Sequence, residues 1–399
     1  MAAIKGNNIE EARNLVTRGV DIDFRGRHGE TPLMKSLLCE DQRISRMLLD
    51  AGADADLGTR NGYSPLAFSC LQNNFEHARM LLNHKASLNL KTKEGWTALH
   101  FASTNPSVFF DNLESDFYRK MMELVYRYAH YHPDFNPVHI VRLLLSSGAD
   151  PDDSDKCGMS PLMAAAGTGN HQILRLLLSS GAAVSLRDTE GKSALMYAAS
   201  ATIEELINGF IHLRLVGSTI TSSDFLTPAM VARLRPQFEP QKEFCVHELI
   251  QGGADVNDRD RKGMTPVVYA ARAGSLAVAR NLIANGADIH ARSQQGITPL
   301  YAAAINGHDE IIDYFIGEGL EVDTRLNNGE TPLMAAVWNG KVSTVNLLIR
   351  HGADVNAKKF TSYREAGESP AFRDARNRHG EKSENYDEIF RLLAAAGAV

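Results

Sequence analysis

The sequence predicts an all-α solenoid, in which short helix–turn–helix repeats stack side by side. The motif [ST]-[PA]-[LV] occurs eight times along the chain, and a ninth start at Ser369 has alanine at its third position. Five of the eight intervals between successive starts have the same length as the interval from Thr31 to Ser64. A series of glycines that follow aliphatic runs keeps the same phase. A constant period of about 20 to 50 residues is typical of solenoids, because each repeat buries its apolar face only against its neighbours.

Each repeat carries start and stop signals for two helices. The Thr-Pro or Ser-Pro pair predicts the first start, because the hydroxyl caps free N–H groups and proline suits the first helical position. These motifs begin at Thr31, Ser64, Thr97, Ser160, Ser193, Thr265, Thr298, Thr331 and Ser369.

The second helix of each repeat has paired aliphatic residues and ends at a glycine able to adopt the left-handed conformation. Those glycines are Gly52, Gly148, Gly181, Gly253, Gly286, Gly319 and Gly352. Lys85 stands where the corresponding glycine is expected. An extended, β-hairpin-like finger then leads to the next repeat.

The period, which is about 33 residues, and the helix-start motif resemble the ankyrin repeat. The motif occurs as TPLM at Thr31 and Thr331, TALH at Thr97, TPLY at Thr298 and SPLM at Ser160. The resemblance implies a single solenoid over residues 1–399 with about ten repeats, the last a capping repeat over residues 358–399. Only His100 keeps the histidine of the family's TPLH motif.

The resemblance also implies a non-catalytic protein-binding function, because fingers and first helices in this family line a concave face that binds partner proteins. Two positions on that face are not required by the repeat. The residue before the Thr-Pro pair is Glu30, Tyr63, Trp96, Met159, Lys192, Met264, Ile297 or Glu330, and a position late in the first helix holds Leu71, Arg272, Ile305 or Trp338.

Apolar and aromatic members of these two sets are the predicted binding residues, since aromatic side chains dominate binding hot spots. They are Tyr63, Trp96, Met159, Met264, Ile297, Ile305 and Trp338. The alternative is that they pack on neighbouring fingers or under the insertions.

Two long insertions interrupt the period. The first, residues 104–137, is rich in aromatics and combines a capping box at Asp111 and Glu114 with an apolar stripe at helical spacing. It predicts an amphipathic helix that docks on the solenoid and leaves Tyr126 and Tyr131 near the fingers as further binding residues. The alternative is a stripe that itself contacts the partner.

The second insertion, residues 202–241, also predicts helices. Thr202 and Glu205 form a capping-box pair, and Thr227 with Pro228 predicts a further short helix that stops before Pro236. Long ordered insertions in repeat proteins tend to be functional.

Composition argues against several other partners. The net charge of −6 and the pI near 6.2 provide no basic field for nucleic acid or anionic lipid, and no apolar run is long enough to span a membrane. We expect a monomer. Four scattered cysteines predict free thiols, which together with the absence of a leader pattern suits the cytoplasm. A leader upstream of Met1 is the alternative.

Catalytic and metal motifs are not evident. His130, His132 and His139 lie close in sequence, but no cysteine or carboxylate nearby completes a ligand set, so neither a metal nor a cofactor is expected. Three alternatives to a general binding module stay open: an inhibitor or immunity-type protein that occludes one enzyme or toxin, a secreted effector that engages host proteins, and an enzyme.

Overall fold

The structure is a computed structural model that describes residues 2–27, 29–39, 41–104, 136–202, 228–359, 371 and 384–398. Within these ranges the chain is all-helical, without a β-strand, as predicted. It divides into two compact blocks. The first block comprises Met1–Thr189 and Ile203–Glu248, and the second comprises Glu190–Thr202 and Leu249–Val399.

Besides residues 228–248, which belong to a longer helix, the described part of the first block consists of short helices in pairs. They are α1 (Ala2–Lys5), α2 (Ile9–Thr17), α3 (Pro32–Ser36), α4 (Arg43–Asp50), α5 (Pro65–Leu71), α6 (Phe75–Asn83), α7 (Ala98–Ser103), α8 (Pro137–Ser146), α9 (Pro161–Gly167) and α10 (His171–Ser179).

The second block continues the same pattern. Its helices are α11 (Ala194–Ser200), the last residues of α12 (Pro228–Gln251), α13 (Pro266–Ala273), α14 (Leu276–Ala284), α15 (Pro299–Asn306), α16 (Asp309–Gly317), α17 (Pro332–Trp338), α18 (Val342–Arg350) and α19 (Glu384–Ala395).

The first helices begin as their sequences predict. At Thr31 the side-chain oxygen accepts a hydrogen bond from the backbone N–H of Met34 at 3.2 Å, and a proline occupies the first helical turn. The same cap occurs at the starts of α5, α9, α15 and α17. The second helices end before a residue of positive φ, which is glycine except at Lys85, where φ is 62°. The repeat therefore keeps its geometry there without glycine.

Each finger closes with a tight turn. In the finger before α7, the backbone N–H of Thr92 donates to the carbonyl of Trp96 at 2.9 Å, and Gly95 N–H donates to the carbonyl of Thr92 at 2.9 Å. Successive fingers are joined by single backbone bonds, such as Lys93 N–H to the Asn61 carbonyl at 2.9 Å and Gln294 N–H to the Lys262 carbonyl at 2.8 Å. The fingers are hairpin-like turns held to one another by a ladder of single hydrogen bonds.

The core of each block lies between neighbouring repeats. First helices pack side by side, α5 on α7 in the first block and α13 on α15 and α15 on α17 in the second. Fully buried alanines such as Ala165, Ala270 and Ala303 allow this close approach. Buried aliphatics of the second helices, including Leu174 and Leu282, close the other side of the layer.

The prediction that the second insertion ends in a short helix before Pro236 is wrong. Helix α12 continues through Pro236 and Pro240 to Gln251. A proline inside a helix removes one backbone hydrogen bond and costs about 3 kcal/mol. Burial of Phe238, Cys245 and Val246 on the C-terminal part of α12 offsets this cost.

Candidate protein-binding surface

We call the surface formed by the finger turns and the first helices the inner face of each block. The residue before each first helix is held there by its backbone. Trp96 N–H donates to Thr92 Oγ1 at 3.1 Å, and Met159 N–H donates to Asp155 Oδ1 at 2.8 Å. A hydroxyl or carboxylate at the first position of the turn therefore fixes the direction of the side chain that follows the turn.

The predicted binding residues before the first helices differ in accessibility. Tyr63, Trp96, Met159 and Ile297 are half-buried. Met264, in contrast, is only 5% exposed, so its side chain offers little surface to a partner.

In the first block, the inner face carries an aromatic cluster of Tyr63, Trp96, His100 and Phe101. The ring centroid of Phe101 lies 5.4 Å from that of Tyr63 and 5.1 Å from that of Trp96. Phe101 is 2% exposed and forms the floor of the cluster. The Trp96 indole also donates from Nε1 to Asp155 Oδ2 at 2.9 Å. Trp96 is thus half-buried, packs on Phe101 of its own repeat and hydrogen-bonds to Asp155 of the next repeat.

His100 links two repeats through both ring nitrogens. Its Nδ1 lies 3.2 Å from the donating backbone N–H of Thr97, so Nδ1 accepts and Nε2 carries the proton. Nε2 then donates to the carbonyl of Met159 at 3.0 Å. Burial lowers the pKa of His100, although the hydrogen bond to Met159 opposes this shift. The neutral ring fits this site, because its acceptor nitrogen faces a backbone donor.

In the second block, the inner face has a different chemistry. Lys192 occupies the position equivalent to Trp96, and its ammonium lies 5.8 Å from the ring centroid of Tyr197 and 5.9 Å from that of Tyr269. Glu190 pairs with this ammonium at 2.8 Å. The Tyr269 hydroxyl donates to Asp260 Oδ2 at 2.7 Å. Burial, followed by this bond to a carboxylate, raises the pKa of Tyr269.

At the position late in the first helix, the repeats of the second block carry different residues with different exposure. Arg272 is exposed, Ile305 is half-buried, and Trp338 is 52% exposed, one of the most exposed large apolar side chains among the described residues. The backbone carbonyl of Trp338 accepts a hydrogen bond from the Tyr386 hydroxyl at 3.0 Å. The C-terminal helix α19 therefore holds the end of α17, while the side chain of Trp338 stays exposed.

Some predicted residues lie outside the described residues. These are Tyr126 and Tyr131, together with most of the first insertion. His130 and His132 also lie outside, so the expectation that no metal binds remains a prediction. Over the described ranges, no group of three or more histidine, cysteine or acidic side chains is placed to hold a metal ion. In the same ranges, no helix is both long and apolar enough to cross a membrane.

Sequence comparisons agree with this architecture. A profile of ankyrin repeats in three copies matches residues 129–224 and 281–359, and a profile of ankyrin repeats in many copies matches residues 48–102 and 249–300. Together the matches cover about two thirds of the chain. The chain belongs to the ankyrin-repeat family. No curated protein matches it. Ankyrin repeats are generally protein–protein interaction modules, and the family is typically non-catalytic.

Sequence analysis did not identify two contacts on the candidate surface of this ankyrin-repeat protein. The contact of Lys192 with Tyr269 and the bond from Trp96 to Asp155 each join residues of two different repeats. One local signal was present: an aspartate shortly before the finger glycine, as at Asp155 and Asp260, is the residue that holds the finger turn.

Proposed function

We propose that the protein is a non-catalytic interaction module whose partner protein binds the inner face, with the two insertions extending the contact. Residues required by the repeat, such as Pro332 and Leu333 at the start of α17, are buried. Trp338, at the end of the same helix, is 52% exposed. Burying an exposed tryptophan at an interface removes a large apolar area from water at little cost in side-chain entropy.

The exposed Trp338 is the observation that carries this proposal. It is supported by the half-buried Ile297 and Ile305 in the same block. The repeat pattern does not require an apolar residue at these positions. A stable interface needs a few such anchors surrounded by polar residues. Arg272 and the finger-tip residue Asn328 provide exposed polar groups near the same helices.

Site-specific photo-crosslinking tests this function. A benzophenone amino acid is placed at Tyr63 or Ile305 on the inner face, and at Arg142 or Arg280 on the second helices as exposed controls. The intact protein is irradiated in a cell extract, and crosslinked proteins are identified by mass spectrometry. We expect a partner at the inner-face position of a block and not at the control position of the same block.

A partner that crosslinks to the control positions, but to neither inner-face position, would contradict the proposed surface. With the partner identified, its affinity for Trp338→Ala is then measured. A hot spot predicts a loss of about 1 to 4 kcal/mol, and an unchanged affinity would remove Trp338 from the site.

A further inference from the structure

The aromatic cluster of the first block has a chemical counterpart elsewhere in the same chain. In the second block, the Lys192 ammonium lies 5.8 and 5.9 Å from the centroids of two tyrosine rings and is paired with Glu190 at 2.8 Å. An ammonium at this distance from a ring face is attracted by the negative face of the aromatic quadrupole. The equivalent position in the first block is Trp96, so the cation is replaced by a further aromatic ring.

The first block combines these rings with carboxylates. Asp155 accepts the indole N–H of Trp96 at 2.9 Å, and its other oxygen accepts the backbone N–H groups of Cys157 and Met159, each at 2.8 Å. This carboxylate is therefore held in place. Burial raises the pKa of the Tyr63 hydroxyl, and the negative charge of Glu94 in the following finger raises this pKa further.

Three lysines lie on the neighbouring fingers. Lys91 forms an ion pair with Asp153 and donates to the carbonyl of Ser154 at 3.0 Å. Lys93 and Lys156 are exposed at the finger turns. Among the described residues, no lysine or arginine lies over the rings of Tyr63, Trp96 or Phe101, whereas Lys192 lies over two rings in the second block.

We infer that the aromatic cluster, with Glu94 and Asp155 beside it, receives a lysine or arginine side chain of the partner protein. This inference rests on the proposed function, since it names the chemistry of the group that binds the inner face. The rings of Tyr63 and Trp96 are half-buried and so keep part of their surface accessible to a cation, and the two carboxylates supply opposite charge. The partner therefore presents a basic side chain to the first block.

Synthetic peptides test this inference without knowledge of the natural partner. One peptide carries three lysines in a glycine-serine background, and its control carries three glutamines at the same positions. Binding is followed by the fluorescence of Trp96 in intact protein that carries Trp338→Phe. We expect the lysine peptide to bind about tenfold more tightly than the glutamine peptide.

Two pairs of variants separate ring recognition from general charge attraction. Tyr63→Phe keeps the ring and should keep most of the affinity, whereas Tyr63→Leu should lose about threefold or more, in the range of a partly exposed cation–π contact. Glu94→Gln should weaken binding, and Glu321→Gln, which removes an exposed carboxylate from the second block, should not. Thermal melts establish that each variant is folded.

Equal affinity for both peptides overturns the inference. So does an equal loss of affinity for the lysine peptide in Tyr63→Phe and Tyr63→Leu, or in Glu94→Gln and Glu321→Gln. These outcomes are distinguishable from failure of the proposed function. If a partner crosslinks to the inner face while the peptide test fails, the binding function stands and the basic group is wrong. If the lysine peptide binds through Tyr63 but no partner crosslinks to the inner face, the proposed function fails.

Discussion

The two tryptophans of the protein occupy positions that the repeat leaves free, but they differ in their contacts and in their exposure to solvent. Trp96 in the first block packs against Phe101, lies beside His100 and donates to Asp155. Trp338 in the second block is 52% exposed. A position without a role in the repeat pattern can thus be structural or accessible, and the neighbouring side chains decide which.

The two blocks also differ in the hydrogen bonds that a buried side chain of the inner face makes. In the first block, His100 joins two repeats through neutral ring nitrogens. In the second block, the buried tyrosine Tyr269 hydrogen-bonds to Asp260 within its own repeat. His100 therefore hydrogen-bonds both to its own repeat and to the next one, whereas this hydrogen bond of Tyr269 stays within one repeat.

The largest effect is expected for Trp96→Ala. This substitution removes a half-buried ring that contacts Phe101 and leaves Asp155 without its indole donor, so we expect the free energy of unfolding to fall by about 2 to 3 kcal/mol. Urea unfolding, monitored by circular dichroism, measures this free energy. A loss below about 0.5 kcal/mol would place Trp96 with Trp338 as an accessible residue and remove the contrast between the blocks.

His100→Met should lower the free energy of unfolding by about 1 to 2 kcal/mol at pH 7. Methionine is the residue that several other repeats carry at this position, as at Met163 and Met334, so the apolar contacts are retained while the hydrogen bonds to Thr97 and Met159 are lost. Met334→Leu serves as a control for a change in packing at the same position of the second block. Similar losses in both variants would show that His100 contributes only packing.

Stability should also depend on pH through His100. Because burial lowers the pKa of His100 below its ordinary value of 6.5, the unfolded chain binds the proton first, and stability is lost as pH falls from about 6.5 towards the folded-state pKa. We expect up to about 1 kcal/mol between pH 6.5 and 5.5.

His84 acts in the opposite direction, because a hydrogen bond to the Met80 carbonyl raises its pKa, and the lowered pKa of His171 adds to the effect of His100. The difference between wild type and His100→Met, measured by thermal melts across this range, cancels both contributions. Parallel pH profiles would contradict a neutral His100.

The smallest effect on stability is expected for Trp338→Ala. Its indole is exposed, so the free energy of unfolding should change by less than about 0.5 kcal/mol. The Tyr386 hydroxyl bonds to the backbone of residue 338 and is retained in this variant. If differential scanning calorimetry instead shows a loss comparable to that of Trp96→Ala, the two positions are equivalent and Trp338 belongs to the capping contact.

The repeat architecture followed from the sequence because its signals are local. A capping hydroxyl, a proline and a positive-φ residue each act within a few residues, as Thr31 and Lys85 illustrate. The continuation of α12 through Pro236 did not follow from the sequence, because tertiary burial of Phe238 and Val246 outweighs the local effect of the proline.

The candidate site was only partly predictable for the same reason. Sequence position identified Tyr63, Trp96 and Trp338 as residues without a role in stacking, but accessibility depends on contacts between repeats. Asp155 becomes a partner of Trp96 only when the fingers stand next to each other. Such contacts bring together residues of different repeats, beyond the reach of a local pattern.

The ladder of finger hydrogen bonds has a consequence for how such a chain can acquire new sequence. Lys93 bonds to Asn61 in the preceding finger with no insertion between them, whereas Lys156 bonds to Glu94 across the first insertion and Arg261 bonds to Glu190 across the second. The same bond thus forms whether or not an insertion lies within the repeat. Because the entropy of closing a loop grows only slowly, by about 0.6 kcal/mol for each doubling of length, the turn between the two helices of a repeat is a tolerant place for grafting foreign segments.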